Sequence, residues 1–206
     1  MASTIASIIS KIQTLLNDDG TIFTTATVTA AVRQALLAYN QRAPIWKTDT
    51  VTAVADQYEY DVSSITDIQT IVALYDSNNE FMPFSRYFED GDTHKIRLNE
   101  PVSQDFTIIY SAFHTIDGLD SESTTTLLAK HEDCLCNLAA GVCVVIRANG
   151  KIETVNLNAD VPAQWLDMWE YWKTLFEAEL ISIQRSERMP VQKLLNGWND
   201  DYHGWE

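Results

Sequence analysis

The chain has 206 residues, of which 46% are hydrophobic and 10% aromatic. That is enough apolar material for one domain, or one domain with a sizeable insertion, and it excludes wholesale disorder. Acidic residues number 29 and basic residues 14, so the formal charge is -15. Because such a surface repels phosphate and anionic lipid, it argues against a protein that grips duplex DNA and against a polybasic membrane binder.

The sequence contains no segment typical of a membrane span or of a secretory leader. The longest apolar run, Leu138–Ile146, has nine residues, whereas a transmembrane helix needs about 20. The N-terminal stretch lacks the charged head and apolar core of a signal peptide. The chain is therefore expected to bind no membrane.

Two helices are predicted at the start of the chain. The first has apolar residues at helical spacing, and the second, from about Thr27 to Gln41, repeats the pattern before Pro44. The apolar stripe of the first helix consists of Ile5, Ile8, Ile9, Ile12, Leu15 and Leu16. The stripe of the second consists of Val28, Ala31, Val32, Ala35, Leu36 and Tyr39.

Residues 48–118 have the composition of β-structure, with many Thr, Val, Ile, Tyr and Phe residues between turn-forming residues. The candidate strands are Thr50–Val54, Gln57–Val62, Asp67–Tyr75, Lys95–Leu98 and Asp105–Phe113. Asp67–Tyr75 and Asp105–Phe113 are apolar on both sides. Alternation along the first of them predicts Ile68, Val72 and Leu74 on one side and Ile71, Ala73 and Tyr75 on the other. We therefore expect these two in the middle of a sheet that is covered on both faces, by the helices, a second sheet or a neighbouring subunit.

Helical periodicity returns in the last third of the chain. One helix is predicted from about Leu128 to Asn149, and a long one from about Val161 to Arg188, with Asp160 as its N-cap and Pro162 in its first turn. The stripe of the long helix consists of Trp165, Met168, Trp169, Trp172, Leu175, Phe176, Leu180 and Ile183. The remaining stretch, Met189–Glu206, has no sustained period but holds three large aromatic residues. These are expected to dock on the subunit itself, on another subunit or on a partner protein.

Together these elements predict an α+β protein with a four-helix bundle as its main body. Residues 1–47 and 119–188 would form the bundle, residues 48–118 a β-rich insertion between the second and third helices, and residues 189–206 an extended C-terminal docking tail.

The sequence holds no recognisable catalytic, cofactor or metal motif. His131-Glu132-Asp133 lacks the second histidine of a helical zinc site, and no glycine-rich phosphate loop or nucleophile elbow is present. Cys134, Cys136 and Cys143 do not have a zinc spacing, and their odd number fits a reducing compartment rather than a disulfide framework. We therefore expect no enzyme activity, no cofactor and no metal. A carboxylate pair within the β-rich segment remains an open alternative.

Three parts of the sequence resemble the head-to-tail adaptors, or neck connectors, of tailed bacteriophages. The helix in Val32–Pro44, with a tyrosine near its end and a proline after it, is similar to an early helix of that family. The segment Asp56–Val62 with Ile68–Tyr75 resembles the β-segment that follows it. Leu127–Asp133 and the succeeding Leu138–Gly141 resemble the first of two late helices, and Trp165–Ile183 would be the second.

This resemblance implies a structural protein of the virion neck, made in the host cytoplasm. Copies would form a ring, usually of twelve, that docks on the portal protein, joins it to the tail or a stopper protein, and lets genomic DNA pass without specific binding. The C-terminal segment of such adaptors reaches into the portal. The residues that this implies as portal contacts are Leu194, Leu195, Trp198, Tyr202 and Trp205.

Three other interpretations stay open. The chain could be another neck or tail component, a stopper or terminator, although those are smaller and richer in β-structure. It could be an enzyme with an unrecognised carboxylate site in the β-rich segment. It could also be an acidic protein that mimics DNA.

Overall fold

The computed structural model describes residues 3–65, 67–90, 93–152 and 160–186. These residues form two compact units, a helical unit of residues 3–43 and 114–186 and a β unit of residues 44–113. The chain passes from one to the other at Ala43–Pro44 and at Phe113–His114. Both boundaries lie a few residues before those expected from composition, because the first strand already begins at Ile45 and the last strand ends at Ala112.

The helical unit contains the four helices that the periodicity predicts. They are α1 (Ile5–Leu15), α2 (Thr25–Arg42), α3 (Glu132–Ile152) and α4 (Asp160–Ser186), and a short 3-10 turn, Ala129–His131, leads into α3. The side chains of Thr4 and Thr24 cap α1 and α2, where they accept hydrogen bonds from the backbone N–H groups of Ser7 and Thr27. These caps satisfy N–H groups that have no partner within the first turn.

The core of the helical unit is built around α3, which packs against each of the other three helices. Its small residues Ala139, Ala140 and Cys143 are completely buried. Small side chains let neighbouring helices approach closely, so one apolar helix can serve as the common partner of three.

The described residues of the β unit form seven strands in two antiparallel sheets. The strands are β1 (Ile45–Val51), β2 (Glu59–Asp61), β3 (Thr70–Tyr75), β4 (Phe81–Met82), β5 (Phe84–Asp90), β6 (Thr93–Leu98) and β7 (Phe106–Ala112). One sheet has the order β1-β7-β3-β4 and the other the order β2-β6-β5. The sequence did not indicate β4 or β5, since β4 has two residues, Pro83 separates the pair, and β5 is rich in polar residues.

The two strands that are apolar on both sides, β3 and β7, lie in the middle of the four-stranded sheet, as predicted. A bulge between Ile71 and Ala73 shifts the register of β3. Ile71 therefore joins Leu74 in the main core of the β unit, although strict alternation would place it with Ala73 and Tyr75. The predicted assignment of residues to the two faces of this strand is wrong for that reason.

An aromatic pair connects the two sheets of the β unit. The rings of Tyr60 on β2 and Phe106 on β7 meet edge to face, with centroids 5.1 Å apart. Both side chains are buried, and the hydroxyl of Tyr60 donates a hydrogen bond to the carbonyl of Val54. The pair lets the β unit have a core of its own between two sheets.

The predicted fold class, a four-helix bundle with a β-rich insertion, is wrong. The protein has a mixed α+β fold, because the β segment forms two antiparallel sheets with their own hydrophobic core. The second core could not be predicted from sequence periodicity, because periodicity detects long helices readily whereas short strands such as β4 leave almost no pattern. The expected C-terminal tail, residues 189–206, lies outside the described residues.

Candidate interaction surface

The first half of α4 exposes an unusual amount of apolar surface. Between Gln164 and Leu175 no residue is buried, although seven of these twelve are aromatic or aliphatic. Leu166 is 62% exposed, Tyr171 59% and Met168 43%. Single exposed apolar residues are ordinary, but a row of them on one helix is typical of a surface that binds another protein.

Four of these residues form an apolar row along the edge of the side that packs on α3, and Trp172 also contacts the core of the helical unit. We call them the α4 strip: Met168, Tyr171, Trp172 and Leu175. Their spacing of i, i+3, i+4 and i+7 places them on one side of the helix. The rings of Tyr171 and Trp172 meet edge to face with centroids 5.2 Å apart. The strip therefore presents a continuous row of large side chains.

The predicted stripe of α4 is only partly buried. Phe176, Leu180 and Ile183 belong to the core of the helical unit, as expected. Trp165, Trp169 and Trp172 are half-buried, and Met168 is exposed. The width of the apolar arc around α4 is the sequence signal that could have indicated that its first half is exposed. Leu166 and Tyr171 fall outside the stripe, so the apolar arc is wider than a single packing face requires.

Gly141 sets the distance between α3 and the tryptophan-rich half of α4. A Cβ atom at Gly141 would lie 2.8 Å from Cε3 of Trp169 and 3.0 Å from Cβ of Trp172. Because a real methyl group does not fit at that distance, the absence of a side chain lets the Trp169 ring lie directly over the backbone of α3. This contact orients the α4 strip.

Polar contacts hold the second half of α4 near the end of α2. The Arg42 guanidinium pairs with Glu177, and the side-chain amide of Gln184 donates to the carbonyl of Arg42 at 2.8 Å. On α3, the Asn137 amide donates to the Glu179 carboxylate at 3.2 Å. Burial raises the pKa of Glu179, and this hydrogen bond partly offsets the effect.

The histidine that the sequence singled out, His131, lies in the core of the helical unit. Its Nδ1 is 2.8 Å from the hydroxyl oxygen of Tyr39. His114 is close by, with its ring 5.4 Å from that of Tyr39, and its Nε2 donates to the carbonyl of Ala43. Asn40 accepts from the backbone N–H of His114. These contacts join α2 to the two segments that enter and leave the β unit, which is a structural role.

The β unit contains a polar cavity of about 340 Å³, which Asp49 and Asp61 line among others. Hydrogen bonds from the side chain and the backbone N–H of Ser63 lower the pKa of Asp61. Asp61 is therefore a carboxylate at neutral pH and a poor proton donor. A carboxylate pair for acid–base catalysis needs one group that keeps its proton, and Asp61 does not supply it.

The three cysteines are buried on α3. Burial raises the pKa of each thiol to about 12, so they stay protonated and unreactive at neutral pH. Within residues 3–65, 67–90, 93–152 and 160–186, no group of three or more His, Cys, Asp or Glu side chains is arranged to hold a metal ion. None of the helices in that part of the chain has the length and apolar character to cross a bilayer.

The residues predicted from the resemblance to contact a portal all lie outside the described part of the chain. They are Leu194, Leu195, Trp198, Tyr202 and Trp205. No model of a known protein family matches this chain, and no curated protein matches it. The α4 strip is thus the strongest candidate for an interaction surface among the described residues.

Proposed function

We propose that the protein is a structural component of a bacteriophage virion, a ring-forming adaptor between head and tail. Copies of the chain assemble on the portal protein, connect it to the tail or to a stopper protein, and leave a channel for the genome. The protein acts in the neck of the virion after synthesis in the host cytoplasm, and it catalyses no reaction.

The observation that carries this proposal is the exposed apolar half of α4. Water-exposed leucine, tyrosine and methionine side chains such as Leu166, Tyr171 and Met168 are unfavourable unless another surface covers them. Aromatic residues of this kind dominate the binding energy of protein interfaces. A protein whose most conspicuous surface is apolar and aromatic is suited to holding other proteins together.

The charge of the chain agrees with a role beside moving DNA. A formal charge of -15 repels phosphate groups, and the repulsion acts over about 8 Å at physiological salt. A channel wall that attracted the backbone would retard the genome, whereas an acidic wall lets it slide. The protein therefore needs no specific contact with DNA.

A hydrogen bond joins two of the separate segments that resemble neck adaptors. Tyr39, near the end of the first resembling helix, is hydrogen-bonded to His131 in the later resembling segment. Residues that hold distant parts of a core together are the ones that a shared architecture would require. The short, β-dominated form of a stopper or terminator lacks two long late helices such as α3 and α4.

The proposal is tested by electron microscopy of the purified chain mixed with the portal protein encoded by the same viral genome. The expected result is a ring of copies on one end of the portal, with an open axial channel. Mixing the chain with an unrelated portal is the control. Failure to bind its own portal, together with absence from purified mature particles, would overturn the proposal.

A further inference from the structure

The outer side of α2, like that of α1, carries no acidic residue although the protein as a whole is strongly acidic. None of the 29 acidic residues lies in Thr25–Arg42. Leu37 is 54% exposed in the middle of this side. We call its exposed residues the α2 face: Ala26, Arg33, Gln34, Leu37 and Gln41. Their spacing places Arg33, Gln34 and Gln41 within one turn of Leu37.

The α2 face and the α4 strip have complementary properties. The strip consists of large apolar side chains, with Asp167 one turn before Tyr171. The face has mostly small or uncharged side chains around one exposed leucine, and the only charged residues of α2 are Arg33 and Arg42. Arg33 already pairs with the exposed carboxylate of Asp120. Such exposed pairs contribute little and can exchange partners.

The net charge restricts where two copies of this chain can meet. Two molecules of charge -15 repel each other, so a stable contact must lie where acidic side chains are few. Apart from the carboxylate of Asp120, which Arg33 neutralises, the α2 face satisfies this condition along 18 residues of helix, a longer stretch than the 11 residues of α1. The α4 strip supplies the apolar area that such a contact needs.

We infer that the α4 strip of one copy docks on the α2 face of the next copy. This inference rests on the proposed function, because it names the contact through which the ring would form. In the proposed ring each copy uses its α4 strip on one neighbour and its α2 face on the other, which makes the contact head-to-tail. A contact of this type generates a closed ring when its rotation closes and a filament when it does not.

The inference is tested by sedimentation velocity of the full chain over a series of concentrations. The unmodified chain should form assemblies larger than a monomer as concentration rises. Tyr171→Lys on the strip and Leu37→Glu on the face should each abolish association, while circular dichroism shows unchanged helix content. Glu170→Gln and Ser10→Glu make similar charge changes at exposed positions of α4 and α1 outside the two surfaces, and these controls should associate normally.

Mixing the two defective variants gives the decisive result. The Tyr171→Lys variant retains an intact α2 face, and the Leu37→Glu variant retains an intact α4 strip. The mixture should form a dimer of one copy of each and nothing larger, because only one intact contact is possible. A contact of α4 with α4 would instead let the Leu37→Glu variant associate alone, and that outcome would overturn the inference.

Disulfide trapping gives an independent measurement on the same contact. A chain carrying both Tyr171→Cys and Leu37→Cys should form a ladder of covalent oligomers on mild oxidation. The native cysteines are buried and do not compete. A chain carrying Glu170→Cys with Leu37→Cys is the matched control, because Glu170 is exposed on another side of α4, and it should form far fewer links. Equal ladders from the two chains would contradict the proposed contact.

The outcomes separate this inference from the proposed function. An unmodified chain that stays monomeric at every concentration, or variants that associate normally, would overturn the contact. Rings that still form on the portal with both variants would overturn the contact and leave the adaptor role intact. Loss of association in both variants, without any binding to the portal, would support the contact and overturn the adaptor role.

Discussion

The hydroxyl oxygen of Tyr39 lies 2.8 Å from Nδ1 of His131, and both side chains are buried. This hydrogen bond connects the end of α2 to the turn before α3, across 92 positions of sequence. The chain between them includes the whole β unit. The bond therefore helps to close the helical unit around a long excursion of the chain.

Replacing Tyr39 with phenylalanine should destabilise the helical unit by about 1–2 kcal/mol, because it removes a hydrogen bond from a buried ring nitrogen. The free energy of unfolding from urea titration measures the effect. Tyr58→Phe is the matched control, since Tyr58 is exposed, and it should change that free energy by less than about 0.5 kcal/mol. Equal effects of the two substitutions would show that the Tyr39 hydroxyl contributes nothing.

Phe106→Ala should destabilise the β unit by about 3–5 kcal/mol. The side chain is buried between the sheets and meets Tyr60 edge to face, so truncation removes both burial and the aromatic contact. Phe81→Ala makes the same chemical change at an exposed position of β4 and should cost less than about 1 kcal/mol. Urea unfolding monitored by circular dichroism compares them. Similar losses would mean that the two sheets do not share a core at Phe106.

Gly141→Ala should destabilise the protein by about 1–3 kcal/mol through overpacking, although alanine favours helix over glycine by about 1 kcal/mol. The added methyl group would press on Trp169 and Trp172 and force α3 and α4 apart. Asn149→Ala, at an exposed site of α3, is the control for helix propensity and should be neutral or slightly stabilising. Thermal unfolding distinguishes the two, and a stabilised Gly141→Ala variant would contradict the close packing.

The long amphipathic elements of this fold could be predicted from sequence, and the elements that depend on tertiary context could not. The helices α1, α2 and α4 carry apolar residues at the helical period over at least three turns. Their positions could therefore be predicted from the sequence. The strand β4 has two residues and acquires its conformation only by pairing with Leu74 and Tyr75 of β3. The bulge after Ile71 likewise has no local signature, so it reversed the predicted side of that residue.

The candidate site likewise has features that the sequence could predict and features that depend on tertiary context. The aromatic residues of α4 were visible in sequence, but their period predicted a core stripe rather than an exposed strip. Burial of one residue of that stripe depends on what lies opposite it. Phe176 belongs to the core of the helical unit together with Cys134 of α3, whereas Met168 is left exposed. Periodicity gives the direction of a side chain around a helix, not the presence of a neighbour.

The buried thiol of Cys143 should make stability fall at alkaline pH. In the unfolded chain a cysteine loses its proton near pH 8.5, whereas burial raises the pKa of native Cys143 to about 12. Between these values the unfolded chain binds fewer protons. The free energy of unfolding therefore falls as pH rises, by at most about 1.4 kcal/mol per pH unit for this group.

Cys143→Ala should make that decline shallower, whatever it does to stability at neutral pH. Urea titrations between about pH 8.5 and 10 measure the slope, at constant ionic strength. Ser10→Ala is the control, because the residue is exposed and does not titrate in this range, and it should leave the slope unchanged. Identical slopes for all three proteins would mean that Cys143 ionises as readily in the folded state as in the unfolded one.

Deleting Met189–Glu206 should leave the rest of the subunit folded and abolish attachment to the portal. The segment contains Trp198, Tyr202 and Trp205, and burying one such ring in a partner contributes about 2–3 kcal/mol before entropic costs. Helical circular dichroism and the thermal midpoint report folding, and co-sedimentation with the portal protein reports attachment. Trp198→Ala should weaken attachment in the full chain, whereas Gln192→Ala should not. A truncated chain that melts many degrees lower would instead assign these aromatic residues to the subunit's own core, because only a lost intramolecular contact lowers the stability of the isolated protein.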